Sequence, residues 1–164
     1  MALAGEFAVL SQLALRGCDV AMTLANTKGV DILASNPITN RMFQVEVKTS
    51  CKGRLTASRV HGKTICSWPM DTKHETIVRP DLVYCFVDFA ERPKSGRFFV
   101  VPSEVVARYV KEEHALWLDM RRSEGSEATD TDMRTFRIGL HGETYVISTP
   151  TAKDYEENWG LICD

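Results

Sequence analysis

The stretch that most constrains this chain is Leu82-Val83-Tyr84-Cys85-Phe86-Val87, apolar without a break inside the segment Asp81 to Phe89. A strand with one wet face alternates apolar and polar residues, so an unbroken run belongs to a strand covered on both faces. With 164 residues and 44% apolar composition the chain has enough material for one sizeable core and little for a second, and a single domain over residues 1–164 is expected.

Periodicity places the other elements. Residues 3 to 16 carry Leu3, Phe7, Leu10 and Ala14 at helical spacing and end on Arg16-Gly17, which predicts an amphipathic helix with those residues on its apolar face. Asp19 to Leu24 and Val30 to Ser35 read as short strands joined through the turn residues Asn26-Thr27-Lys28-Gly29. From Arg41 to Thr49 the side chains alternate, with Phe43, Val45 and Val47 on one face and Gln44, Glu46 and Lys48 on the other, so a third strand presents a polar face. Ser50 to Arg79 reads mostly as a loop with irregular strand pairing around Thr64 to Trp68. Arg97 to Val101 is a strand, and Pro102-Ser103-Glu104 opens a helix to about Leu118, with Ser103 as N-cap and Val105, Tyr109 and Ala115 turned inward. A polar, mobile connection from Arg122 to Asp132, a strand around Thr144 to Ser148 and a short helix bearing Tyr155 and Trp159 complete the expectation.

The chemistry-bearing pattern is Asp31 on one strand, Glu46-Val47-Lys48 on the next, and Glu6 on the helix before them. Residues two apart on a strand point the same way, so Glu46 and Lys48 share the face that Asp31 reaches from its neighbour. Two carboxylates suit a hard divalent cation, magnesium or manganese, and the Val47 carbonyl offers a further oxygen. Such an ion would polarise a phosphodiester and lower the pKa of a bound water, with Lys48 positioning that water or balancing developing charge.

Gly5-Glu6 on the first helix, Gly29-Val30-Asp31 on a hairpin strand and Gln44-Val45-Glu46-Val47-Lys48-Thr49 on the next resemble the PD-(D/E)xK, or restriction-endonuclease-like, superfamily, and within it the small Holliday-junction resolvase-like bacterial nucleases. The resemblance implies an α/β fold, a central mixed β-sheet flanked by α-helices. It also implies that Asp31 and Glu46 are metal ligands, Lys48 the catalytic lysine and Glu6 an auxiliary acid. Val30 stands where the motif name places proline, a common variation in that superfamily. The implied activity is metal-dependent hydrolysis of nucleic acid, most simply a DNA endonuclease of repair, recombination or defence. Two alternatives stay open: an inactive nucleic-acid-binding or assembly module, and an RNA-directed nuclease. A homodimer is expected if the substrate is branched DNA.

Net charge is -2, which says nothing for a polyanion partner, but its distribution does. Arg41, Lys48, Lys52, Arg54, Arg59 and Lys63 face a single acid, Glu46, whereas Asp119, Glu124, Glu127, Asp130 and Asp132 outnumber Arg121 and Arg122. Lys52, Arg54, Arg59, His61 and Lys63 follow the motif directly, where they either grip phosphates or form a solvated loop. Gln44 either contacts substrate or is a plain surface position. His74 and His114 read as surface or helix residues, and Trp68, Trp117 and Trp159 as packing residues. The five cysteines are odd in number and lack CxxC spacing, which points to a reducing compartment. The first residues lack a basic n-region, and no run approaches the roughly 20 apolar residues of a membrane span, so a cytoplasmic location and no membrane partner are expected.

Overall fold

The computed structural model describes residues 2–23, 29–51, 60–62, 64–90, 95–141 and 146–164. Their contacts gather into two compact units: Met1–Gly53 with Arg79–Ser103 and Tyr155–Asp164, and Arg54–Val78 with Glu104–Asp154.

The first unit is a five-stranded mixed sheet, and helices lie against it. Helix α1 (Ala2–Leu15) leads into β1 (Asp19–Met22), β2 (Ile32–Asn36) and β3 (Arg41–Ser50); later segments add β5 (Leu82–Asp88) and β6 (Arg97–Pro102), β4 belonging to the other unit. The spatial order is β1-β2-β3-β5-β6. Only β3 and β5 run parallel, with Glu46 opposite Tyr84 and Lys48 opposite Phe86. As its unbroken apolar sequence requires, β5 is buried at every residue. One face of the sheet, Val45, Val47, Val83, Cys85, Val87, Phe98 and Val100, packs with Val9 and Leu13 of α1 and with Trp159 and Ile162. Full burial of each such side chain is worth about 1.5–3 kcal/mol. Ile162 lies on the short helix α4 (Gly160–Cys163), and the Trp159 ring packs 5.6 Å from Phe98. On the opposite face, Tyr84 and Phe86 stack at 5.9 Å.

Helix α1 buries a different stripe from the expected one. Gly5, Val9 and Leu13 face the sheet, while Leu3 and Phe7 are 57% and 54% exposed and Ala14 is exposed as well. The helix is apolar nearly all round, so spacing alone could not select the face. What selects it is close approach: a Cβ at Gly5 would stand 1.9 Å from Thr49 Oγ1 and 3.0 Å from Thr49 Cβ.

In the second unit, β4 (Ile65–Asp71) and β7 (Met133–Gly139) form an antiparallel pair. Trp68 and Phe136 are opposite each other in that pair and fully buried, and Tyr109 of α2 (Ser103–Ser123) meets Phe136 edge-on at 5.3 Å. A 3₁₀ turn over Thr72–Glu75 is capped by Asp71, and α3 (Ala152–Tyr155) lies near the end of the chain.

Several expectations for this region change. Where irregular pairing around Thr64–Trp68 is expected, Ile65–Asp71 is a regular strand; Pro69, exposed within it, is tolerated because a two-stranded pair is all edge. Strand β7 was hidden because Arg134 occupies a buried position in line with Phe136 and Ile138, breaking the apolar alternation that marks strands. Of the strand expected at Thr144–Ser148, residues 144 and 145 lie outside the described residues and 146–148 are not strand. Helix α2 extends to Ser123, with Ala115 exposed and Tyr109 buried. Ser103 does not cap it. Its hydroxyl instead donates to Arg79 O (2.7 Å) and accepts from Arg79 N–H (2.9 Å). Of the two readings of His74 and His114, surface or helix residues, the helical one holds, His74 on the 3₁₀ turn and His114 on α2, and both are buried.

Candidate functional site

Strand β3 is longer than its neighbour β2, and the site lies where that mismatch begins. β2 pairs with β3 only from Arg41 to Val45, whereas β5 follows β3 to Ser50. Peptide groups of alternate residues on a strand face the same edge. Asp31 N–H donates to Val45 O at 2.9 Å, so the odd-numbered peptides of β3 face the β2 side, while Gln44 N–H donates to Asp81 O on the β5 side. Beyond Val45 the amide and carbonyl of Val47 therefore point to an edge that β2 does not reach. The Asp31 carboxylate takes the strand's place there: its Oδ2 accepts the Val47 N–H at 2.6 Å.

Asp31 is held from several directions. Besides the Val45 contact, its carbonyl accepts from Thr23 N–H at 2.9 Å, and the Thr23 hydroxyl donates to Val30 O at 2.5 Å. The β2–β3 register begins at Ile32 opposite Val45, so Asp31 stands just before β2 and Glu46 just beyond the paired part of β3, near enough for the charge of Glu46 to act on the Asp31 carboxyl. Gly29 has a φ of +72°, as its place in the turn sequence requires, and a Cβ there would stand 3.5 Å from Glu46 Oε2, so the chain entering β2 runs along the Glu46 carboxylate. Lys48 Nζ donates to Glu46 Oε1 at 2.6 Å; the Glu46 side chain is 5% exposed and that of Lys48 27%.

Glu6 follows Gly5, which packs close over Thr49, and it feels the charge of Asp31. Burial holds the Asp31 carboxyl above the ordinary aspartate range; the Val47 amide pulls it down, Glu46 pushes it up and Lys48 pulls it down. Glu6 is also raised, by burial and then by the charge of Asp31. Glu6, Asp31, Glu46 and Lys48 thus form one electrostatic cluster, although they come from a helix and two strands. Burial and like charge together favour proton retention at Glu6 and Asp31.

The other candidates are placed differently. Gln44 is engaged with its neighbour, its Nε2 donating to Asp81 Oδ2 at 2.7 Å. His61 is buried in the second unit with Nε2 2.9 Å from Glu113 Oε1, rather than open to a phosphate. Lys52, Arg54, Arg59 and Lys63 lie outside the described residues. Among the described residues no group of three or more His, Cys, Asp or Glu side chains is arranged to hold a metal ion. The pair Gly5 and Thr49 went unread in the sequence, and its only signal was a glycine inside a helical pattern.

No protein-family model matches the sequence, and no curated protein matches it. Among solved structures the chain is similar to a bacterial homing endonuclease, I-Ssp6803I, with 16% identity and a TM-score of 0.53 over 98% of this chain and 87% of that one. The chain therefore has a mixed α/β fold, a central mixed sheet with helices against it, of the kind seen in that endonuclease.

Proposed function

We propose that this chain is a PD-(D/E)xK endonuclease that hydrolyses phosphodiester bonds with a divalent metal ion, its substrate being DNA. The observation that carries the reading is the start of β2, where the Asp31 carboxylate takes the Val47 amide in place of a strand, the charge of Glu46 acts on it and Lys48 reaches Glu46. The likeness in fold to a protein named as an endonuclease supports it.

The donors fit the ion. Asp31, Glu46 and the Val47 carbonyl make an all-oxygen set on one strand edge, suited to magnesium or manganese, which take few protein ligands and leave positions for water and phosphate. Bound there, the ion would polarise the scissile phosphate and acidify a water. Lys48, paired with Glu46, would hold that water by a hydrogen bond and offset charge on the phosphate. Glu6, whose carboxyl keeps its proton to higher pH than an ordinary glutamate, serves as an auxiliary acid at the rim. Lys52, Arg54, Arg59 and Lys63 grip backbone phosphates beside the scissile bond, and a homodimer supplies the second site if the DNA is branched. The location is cytoplasmic; no described helix is long and apolar enough to cross a membrane.

The test is cleavage of single-stranded, duplex and branched DNA and of RNA, with magnesium or manganese and with chelator. DNA cleavage that requires metal and disappears in Glu46→Gln is expected. Cutting of RNA alone would move the reading to an RNA-directed nuclease. Metal binding without cleavage of any substrate would favour a non-catalytic module.

A further inference from the structure

We infer that Cys18 and Cys163 are a redox pair, converted by an oxidant of the small-molecule disulfide class into a cross-link between the chain leaving α1 and helix α4. Their sulfurs lie 2.9 Å apart across 145 positions of sequence, and one thiol donates to the other. A disulfide bond is about 2.05 Å long, so the sulfurs need to approach by only about 0.9 Å. Both residues are free thiols here.

Independent contacts hold the two sides in place. Cys18 follows Gly17, whose φ of +83° ends α1, and Cys18 N–H donates to Leu13 O at 3.2 Å. Cys163 N–H donates to Trp159 O at 2.9 Å, and Trp159 is buried in the core of the same unit. Arg16 joins the sides a second time, with Nη2 3.1 Å from Glu157 Oε2 and its guanidinium 4.8 Å from the Trp159 ring centre. The thiols therefore face each other because both segments are anchored, and bond formation costs little reorganisation.

The steps balance without a metal. The thiolate of Cys163, the more exposed of the two, attacks a disulfide such as oxidised glutathione and releases one glutathione thiolate. Cys18, deprotonated, then attacks Cys163 Sγ and expels the second. Two protein thiols are oxidised, one glutathione disulfide is reduced to two thiols, and two protons leave the protein. Burial and the Cys18 thiol push Cys163 up to about 12, Arg16 pulling it down and Asp164 pushing it up, so the pair reacts slowly near neutrality and stays reduced unless the oxidant persists.

The experiment incubates the reduced protein with oxidised glutathione and follows it by thiol titration, non-reducing peptide mapping and thermal melting. Two of the five thiols should disappear, the cross-linked peptide should join Cys18 to Cys163, and the melting temperature should rise by roughly 10 °C because the closed span is long. Dithiothreitol should reverse all three changes. Cys163→Ser should melt like the reduced parent and show neither cross-link nor rise. Five surviving thiols, a stable glutathione adduct on Cys163 with Cys18 still free, or a cross-link mapped to Cys51, Cys66 or Cys85 would overturn the inference. The peptide map of the unaltered protein decides even where the variant fails to fold.

Discussion

At the start of β2, carboxylates gather: Asp31 is raised by burial and by Glu46, and Glu6 by burial and by Asp31. In the second unit acids and bases alternate instead. Arg137 Nη1 and His61 Nε2 lie 2.6 and 2.9 Å from the same oxygen of Glu113, and Arg134 pairs with Glu75 and with Asp130, which also accepts from His114 at 2.8 Å. The hydrogen bond from His114, with the charges of His114 and Arg134, holds Asp130 below the ordinary range. Both regions bury charge. The second brings opposite signs together; the first holds one such pair, Lys48 with Glu46, but also sets Asp31 beside Glu46 and Glu6 beside Asp31. Carboxyls raised by burial and like charge mark candidate functional sites, whereas networks of opposite charge are commonly structural.

The contrast breaks first on activity. Asp31→Ala should reduce cleavage to background and abolish metal binding by calorimetry, since one of two anionic ligands is gone. Lys48→Ala should lower cleavage by about 10²–10³-fold while metal affinity holds or rises, because a cation beside the ion has been removed. Parent-like cleavage by both variants would dissociate the carboxylate cluster from function.

Next comes the structural network. Arg134→Ala leaves Glu75 facing an empty buried position and should cost about 3 kcal/mol in denaturant unfolding, with cleavage per folded molecule unchanged. A loss of cleavage without loss of stability would invert the roles assigned to the two regions.

Gly5→Ala tests how Glu6 reaches the cluster. The new methyl meets Thr49 at its Oγ1, Cβ and Cγ2, so no rotamer of Thr49 relieves it, and overpacking of about 1–3 kcal/mol should appear in thermal melts together with reduced cleavage. Thr49→Gly in the same chain should restore much of both.

The smallest effect sharpens the sign of the like-charge cluster. A carboxyl whose folded pKa exceeds its unfolded one binds its proton more tightly when folded, so stability is full below the unfolded pKa and falls as pH rises through the folded pKa. Asp31→Asn removes that loss yet can still accept from the Val47 amide. The variant should melt above the parent at pH 7, and the gap should close as pH falls below the ordinary aspartate range. A gap that widens toward acid pH would mean that ionised Asp31 is stabilising.

Much of the first unit was legible from local pattern. The unbroken run of β5 and the alternation of β3 describe side-chain faces that strand geometry dictates on its own, and the structure keeps both, with Phe43, Val45 and Val47 inward. The same alternation puts Glu46 and Lys48 two apart on β3, whereas the place of Asp31 beside them depends on the chain just before β2. Less of the second unit was legible, because Arg134 in a buried slot and Pro69 within a strand contradict the local rules and are allowed only by partners distant in sequence, Glu75 and the edge position of β4.

By itself, then, the sequence determined which faces of β3 and β5 are apolar and which three side chains share the polar one, since a period of two needs no knowledge of neighbours. Only the tertiary structure decided which stripe of an all-apolar helix turns inward, because the choice rests on the fit of Gly5 over Thr49. It alone decided that the Asp31 carboxylate takes the Val47 amide, which depends on β2 starting only at Ile32, opposite Val45. It also set Cys18 against Cys163 across 145 positions, a meeting made by the packing of Trp159 and Ile162 into the core and by no local propensity.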